Sequence, residues 1–169
     1  TANIHNNVIH IQDYAFNNCS VLSNIVIPTE LQTLGQYAFC NCANITSAFV
    51  PHNITILQSS VFKGCSGITE FSIPNHVTTL RSYCLSGTSI TSIIIPNTVT
   101  YIDTGIFKDC TLLSDVTLPD VLSEVTFELF QNCTSLQQIT IPNTVQYLRR
   151  EAFSGCTQLV TLNCTWENL

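Results

Sequence analysis

The chain has 169 residues, one ordinary domain's worth, with five Lys and Arg against eleven Asp and Glu and a net charge of −6. Five scattered basic residues exclude a nucleic-acid footprint and a polybasic membrane patch, both of which need clustered Lys and Arg. An apolar content of 45 % excludes a disordered chain, and no apolar run approaches the roughly 18 residues of a membrane-spanning helix. The sequence contains no Met, so it reads as a piece of a longer product, with any signal peptide or anchor lying outside it.

From the N-terminus onward the chain repeats itself. Prolines stand at Pro28, Pro51, Pro74, Pro96, Pro119 and Pro142, at intervals of 23, 23, 22, 23 and 23. Three residues after each comes an aliphatic residue (Leu31, Ile54, Val77, Val99, Leu122, Val145), and six after comes another (Leu34, Leu57, Leu80, Ile102, Val125, Leu148). Eleven after come Phe39, Phe62, Leu85, Phe107, Phe130 and Phe153, and fourteen after come Cys42, Cys65, Thr88, Cys110, Cys133 and Cys156. Val8, Ile11, Phe16 and Cys19 fit these columns with His5 in the proline slot, as do Leu159, Leu162 and Cys164 with Thr165 in it. The expectation is one domain over residues 1–169, about seven 23-residue repeats truncated at both ends. The short interval falls where Thr88 replaces Cys and Leu85 replaces Phe, which marks a locally repacked coil.

Within each unit the stretch before proline alternates, as in Phe71-Ser72-Ile73, Ile93-Ile94-Ile95 and Ile139-Thr140-Ile141. Alternation places one face inside, so these are short strands, and proline, with no N–H to donate, ends them. Tyr37-Ala38-Phe39 and Glu151-Ala152-Phe153 suit single helical turns on the opposite side. One unit cannot bury its own apolar face; stacking copies turns the columns into a continuous core. Eight strand positions at roughly 4.8 Å make a sheet on the order of 35–40 Å long.

The unit Leu136-x-x-Ile139-x-Ile141-Pro142-x-x-Val145-x-x-Leu148-x4-Phe153-x-x-Cys156 closely resembles the BspA-like, or Treponema-type, leucine-rich repeats, over essentially the whole chain. The resemblance implies an α/β repeat solenoid, right-handed, with about eight short parallel strands on the concave face and short helical turns or loops on the convex side. It also implies surface proteins of mucosal bacteria and parasitic protists that bind host matrix proteins or other cells. Thr88, Leu85, His5 and Thr165 depart from the pattern, at local packing and at the ends.

Nine cysteines at first suggest disulfides. Six of them share one column, where side chains point in parallel rather than toward each other, and free Cys packs as a small hydrophobe. A reduced structural ladder is expected, with Cys164 in the core as well and Cys40 and Cys84 as the reactive thiols outside it. The sequence offers no catalytic motif, cofactor fingerprint or metal-ligand spacing. His5, His10, His52 and His76 occupy four different repeat positions. Glu70 and Asp115 share one position two units apart, roughly 10 Å on the strand spacing, but an open face gives no pocket to raise an acid's pKa. The chain is therefore expected to be no enzyme, with no cofactor and no metal.

Parity then gives the exposed strand residues. One outward column holds Val26, Phe49, Ser72, Ile94, Thr117, Thr140 and Asn163; a second, two residues earlier, holds Asn24, Ser47, Glu70, Ser92, Asp115, Gln138 and Thr161. The ligand-binding candidates on this concave face are Val26, Phe49, Glu70, Ser72, Ile94, Asp115, Thr117, Gln138 and Thr140. Asn-x-Ser/Thr triplets start at Asn18, Asn44, Asn53, Asn132 and Asn163, with Asn53, Asn44 and Asn163 the candidate glycosylation sites; Asn18 and Asn132 directly precede core cysteines. The expected function is a cell-surface or secreted adhesion module binding a host matrix protein, cell-surface protein or glycan, as a monomer or weak end-to-end dimer. The alternatives are a structural spacer and an intracellular protein-interaction scaffold.

Overall fold

The computed structural model describes residues 2–164, a parallel β-solenoid with the repeat columns running along its length. Every strand pair is parallel and joins residues one repeat apart. On the concave side Ala2–Asn3 pairs with Ile25–Val26, Ser92–Ile94 with Asp115–Thr117, and Gln138–Ile141 with Thr161–Cys164. Six of the eight expected strand positions are thus paired; those around Ala48 and Ser72 carry no ladder bonds.

The structure adds a second ladder, which one strand per repeat did not anticipate. It comprises His10–Ile11, Thr33–Leu34, Ile56–Leu57, Thr79–Leu80, Tyr101–Ile102, Glu124–Val125 and Tyr147–Leu148. Each piece follows a turn in which the carbonyl of the proline slot accepts the N–H three residues on, as Leu31 to Pro28 and Ile54 to Pro51, with His5 in that role before the first piece. Two-residue strands are too short to leave an alternation visible in the sequence. The prolines that end the concave strands are buried at Pro28, Pro51, Pro119 and Pro142.

The helical turns on the convex side do not form. Tyr37 and Glu151 have φ of 56° and 62°, in the left-handed region that breaks a right-handed helix. Instead the N–H groups alternate. Those of Tyr37, Phe39 and Asn41 donate to the carbonyls of Ser59, Val61 and Lys63 in the next coil, while Cys40 and Cys42 donate back to Tyr37 and Phe39. The convex wall is therefore a ladder of turns. Thirteen residues after each proline slot the backbone is left-handed again, at Asn18, Asn41, Gly64, Gly87, Asp109, Asn132 and Gly155. Only Gly, Asn and Asp fill this column, the types that tolerate such a φ. Asn41 Nδ2 donates to Asn18 Oδ1 at 2.9 Å, and Asn132 Nδ2 to Asp109 Oδ1 at 2.7 Å. A Cβ on Gly64 or Gly155 would collide with the side-chain carbonyl of Asn41 or Asn132 in the preceding coil.

The core is one continuous cluster. Phe16, Phe39 and Phe62 stack with centroids 5.1 and 5.7 Å apart, and Phe107, Phe130 and Phe153 with 5.7 and 5.5 Å. Buried Leu85 separates the two stacks. The column cysteines are buried from Cys42 to Cys133, and all nine thiols are free. They do more than fill space. Each donates to the carbonyl of the aromatic-column residue one coil back: Cys65 to Phe39 at 3.0 Å, Cys110 to Leu85 at 3.3 Å, Cys133 to Phe107 at 3.1 Å. Thr88, in the same column, turns its hydroxyl to Leu85 of its own coil at 2.9 Å. Burial pushes the thiol of Cys42 up to about 11 and that of Cys65 up to about 12, and raises Cys84 and Cys133 as well.

Two cysteine expectations are corrected. Cys40 and Cys84 are buried, and desolvation raises both thiols, so neither is activated. Cys164 is exposed rather than core, on a coil that no other described coil covers. The same position leaves Leu148 54 % exposed, although its column mates are buried.

Native protein should therefore react with a thiol reagent fastest at exposed Cys164, more slowly at half-buried Cys19 and Cys156 and least at the buried thiols, and unfolded protein, without reductant, at nearly all nine cysteines. Recovery of three or four disulfides would contradict the ladder. Cys133→Ala should destabilise by about 1–2 kcal/mol and Phe130→Ala by about 3–5 kcal/mol in urea unfolding.

The raised thiol values stabilise the fold below the ordinary thiol value of 9.0; stability should fall as pH climbs from there toward 11–12. Gly64→Ala should cost about 1–2 kcal/mol of left-handed strain plus the collision of its Cβ with the Asn41 side-chain carbonyl, and Asn41→Gly, which keeps the left-handed backbone, should relieve the collision part alone.

Candidate ligand-binding face

The pleat directs alternate strand residues to opposite faces, and the register read from the sequence holds. Ile27, Val50, Ile73, Ile93, Val116 and Ile139 are buried. Between them Val26 is 55 %, Phe49 57 % and Ile94 70 % exposed. Glu70, Ser72, Asp115, Thr117, Gln138 and Thr140 are exposed on the same face. Had the strand around Phe49 slipped by one residue, its ring would lie inside. The face so assembled is rich in hydroxyls, carries apolar side chains in one column, and has Glu70 and Asp115 as the charges of its two outward columns.

The backbone beneath this face is uneven. Between Ile25–Val26 and Ser92–Ile94 lie two extended segments, 46–50 and 69–73, whose N–H and C=O groups form no backbone–backbone hydrogen bond. Two shallow depressions open here. One, of about 520 Å³, is bordered by Thr46, Ser47, Glu70, Ser72 and Ser92. The other, of about 340 Å³, lies beside it along Phe71, Ser72, Ile94 and Pro96. Phe71 turns inward and tilts onto Phe62, centroids 5.7 Å apart at 58°. No pattern in the sequence signals this interruption, because segments 46–50 and 69–73 alternate as the paired strands do.

All five basic residues lie away from this face, seven to twelve residues past their prolines. Lys63 sits over the Tyr83 ring, 5.1 Å from its centroid, and Lys108 pairs with Glu128 at 2.7 Å. That pairing lowers the Glu128 carboxyl and raises the Lys108 amine, while burial and the neighbouring Glu128 raise the Tyr83 phenol. Arg81 stacks on Tyr101 at 5.1 Å. Arg149 stacks on Tyr147 at 4.6 Å while its Nε donates to Glu124 at 2.7 Å.

The histidines meet more closely than their columns implied. His52 and His76, in neighbouring coils, lie edge-on with centroids 5.1 Å apart, and His76 Nε2 is 3.0 Å from the Pro51 carbonyl oxygen. His10 Nδ1 lies 2.9 Å from Thr33 Oγ1. Among the described residues no three His, Cys, Asp or Glu converge as metal ligands, and no helix is long and apolar enough to cross a membrane. Of the Asn-x-Ser/Thr triplets, Asn18 and Asn132 hold left-handed positions with their amides bonded to neighbours. Asn44, Asn53 and Asn163 are exposed; the Thr165 that completes the last triplet lies outside the described residues.

Comparison with known proteins places this face in context. A family model described as a BspA type leucine rich repeat region matches in six copies, over residues 1–114 and 78–168. A solved leucine-rich repeat protein from Bacteroides ovatus superposes with a TM-score of 0.92 at 26 % identity, covering 95 % of this chain and 44 % of that one. The T. pallidum leucine-rich repeat protein superposes with a TM-score of 0.83 at 25 % identity, covering 90 % of this chain and 72 % of that one. A leucine rich cell surface protein from Faecalibacterium prausnitzii shares the fold at 17 % identity, with a TM-score of 0.55 and coverage of 92 % and 63 %. The chain thus spans less than half the length of the Bacteroides ovatus protein. No curated protein matches the sequence.

Proposed function

The chain belongs to the BspA-type leucine-rich-repeat family, and on that premise we propose that it is a cell-surface or secreted adhesion module. It grips a protein or glycan carried by another surface through its concave face. Repeat solenoids of this kind act as binding modules: the stacked coils supply an extended, preformed surface, so little ordering cost attends contact. The observation that carries the reading is Phe49. A large aromatic ring stands 57 % exposed on the concave sheet, flanked by half-buried Ala48 and buried Val50, in one column with Val26 and Ile94. Aromatic side chains in shallow surfaces are favoured anchors, and neighbouring Glu70, Ser72, Asp115, Thr117, Gln138 and Thr140 supply polar contacts. Glycans at Asn53, Asn44 or Asn163 would sit on exposed positions and leave Phe49 itself unmodified.

Phe49→Asp should weaken adhesion to a panel of immobilised matrix proteins and epithelial cells at least tenfold, about 1.4 kcal/mol, while the melting temperature stays nearly constant. Lys63→Ala, which removes a cation from over the Tyr83 ring on the convex side, should leave binding intact. Unchanged adhesion of Phe49→Asp would favour a spacer role.

A further inference from the structure

Resting on the concave-face reading, we propose that the interrupted stretch of that face is a subsite for an uncharged oligosaccharide. Three independent observations converge on it. The backbone N–H and C=O groups of 46–50 and 69–73 form no backbone–backbone hydrogen bond, so no ladder fixes these segments to their neighbours. The side chains of Thr46, Ser47, Thr69, Glu70, Ser72 and Ser92 are exposed around the same depression, and none makes a hydrogen bond within the protein. Elsewhere in the solenoid, hydroxyls are used between coils: Thr78, Thr98, Thr126, Thr134 and Thr144 donate to carbonyls of the adjacent coil. Finally, every Lys and Arg of the chain lies on other faces.

These features select among ligands. A sugar hydroxyl both donates and accepts, and the depression offers both partners in the exposed hydroxyls of Thr46, Ser47, Thr69, Ser72 and Ser92 and the carboxylate of Glu70. Phe49, in the same outward column as Ser72, adds an apolar ring against which the C–H face of a sugar can lie. A sulfated or sialylated glycan would meet Glu70 without any cation to balance its charge, and like charges brought together repel. The volume of about 520 Å³ falls within the range of small-molecule sites.

The test is binding of the whole chain to immobilised neutral oligosaccharides of hexoses and N-acetylhexosamines, beside heparin and sialylated oligosaccharides. Wild-type protein should bind in the neutral arms only, with little dependence on salt. Ser72→Lys should weaken that binding at least tenfold and Glu70→Gln severalfold, both with unchanged melting temperature because the two positions are exposed. Empty neutral arms at millimolar sugar, equal binding to heparin, or an unaffected Ser72→Lys variant would each overturn the proposal. If the neutral arms are empty while Phe49→Asp still weakens adhesion to proteins and cells, the sugar assignment falls and the concave reading stands. If Phe49→Asp is silent on every surface, both fall.

Discussion

The convex hydrogen-bond ladder is the constraint on which the rest of the solenoid depends. Three N–H groups of a coil reach three carbonyls of the next, as Tyr37, Phe39 and Asn41 reach Ser59, Val61 and Lys63. This works only if two residues per coil accept a left-handed backbone. The buried columns follow from it. Once the turns are stacked, Phe39 must lie on Phe62 and the Cys65 thiol must come within 3.0 Å of the Phe39 carbonyl. Hydrophobic burial supplies the driving free energy, and the ladder supplies the register.

The coil around Leu85 shows how far that register tolerates change. One residue is missing there, Leu stands for Phe and Thr for Cys, and the aromatic stack is broken. Yet Tyr83 and Gly87 still donate to Thr104 and Lys108 of the next coil. Thr88 supplies a hydroxyl where a thiol is missing and turns it to its own coil. Packing lost in the column is offset locally by buried Cys84 and by Phe71 leaning on Phe62. The concave sheet is unpaired over segments 46–50 and 69–73 as well as between Asp115–Thr117 and Gln138–Ile141, and the first of these breaks adjoins the irregular coil.

The columns of Pro, Phe and Cys made the solenoid and its inward and outward faces legible in the sequence, because burial repeats with a period that residue type records. Phe49 was placed correctly for that reason: one alternation step decides its face. What escaped notice lies in the backbone. The left-handed column of Asn, Gly and Asp is visible in the sequence only as composition, and Asn41 followed by Gly64 records a side chain filling the space a Cβ would need. The helical reading of Tyr37 failed because Tyr is an ordinary residue at an unusual φ. Cys40 and Cys84 were misjudged because a position outside the main column need not lie outside the core. Missing hydrogen bonds in segments 46–50 and 69–73 depend on sub-ångström spacing between coils, which side-chain pattern does not encode.

Almost every contact in the molecule joins a coil to its immediate neighbours, and this has a consequence for how such a protein diversifies. A coil inserted or deleted far from the depression changes the overall reach of the array but leaves the surroundings of Glu70 and Ser72 untouched, since coupling decays over one or two units. The proposed binding patch is in this sense a cassette in a string of interchangeable parts. Array length and the make-up of the patch can then vary separately: recombination between equivalent coils can shift the patch along the array without redesigning it.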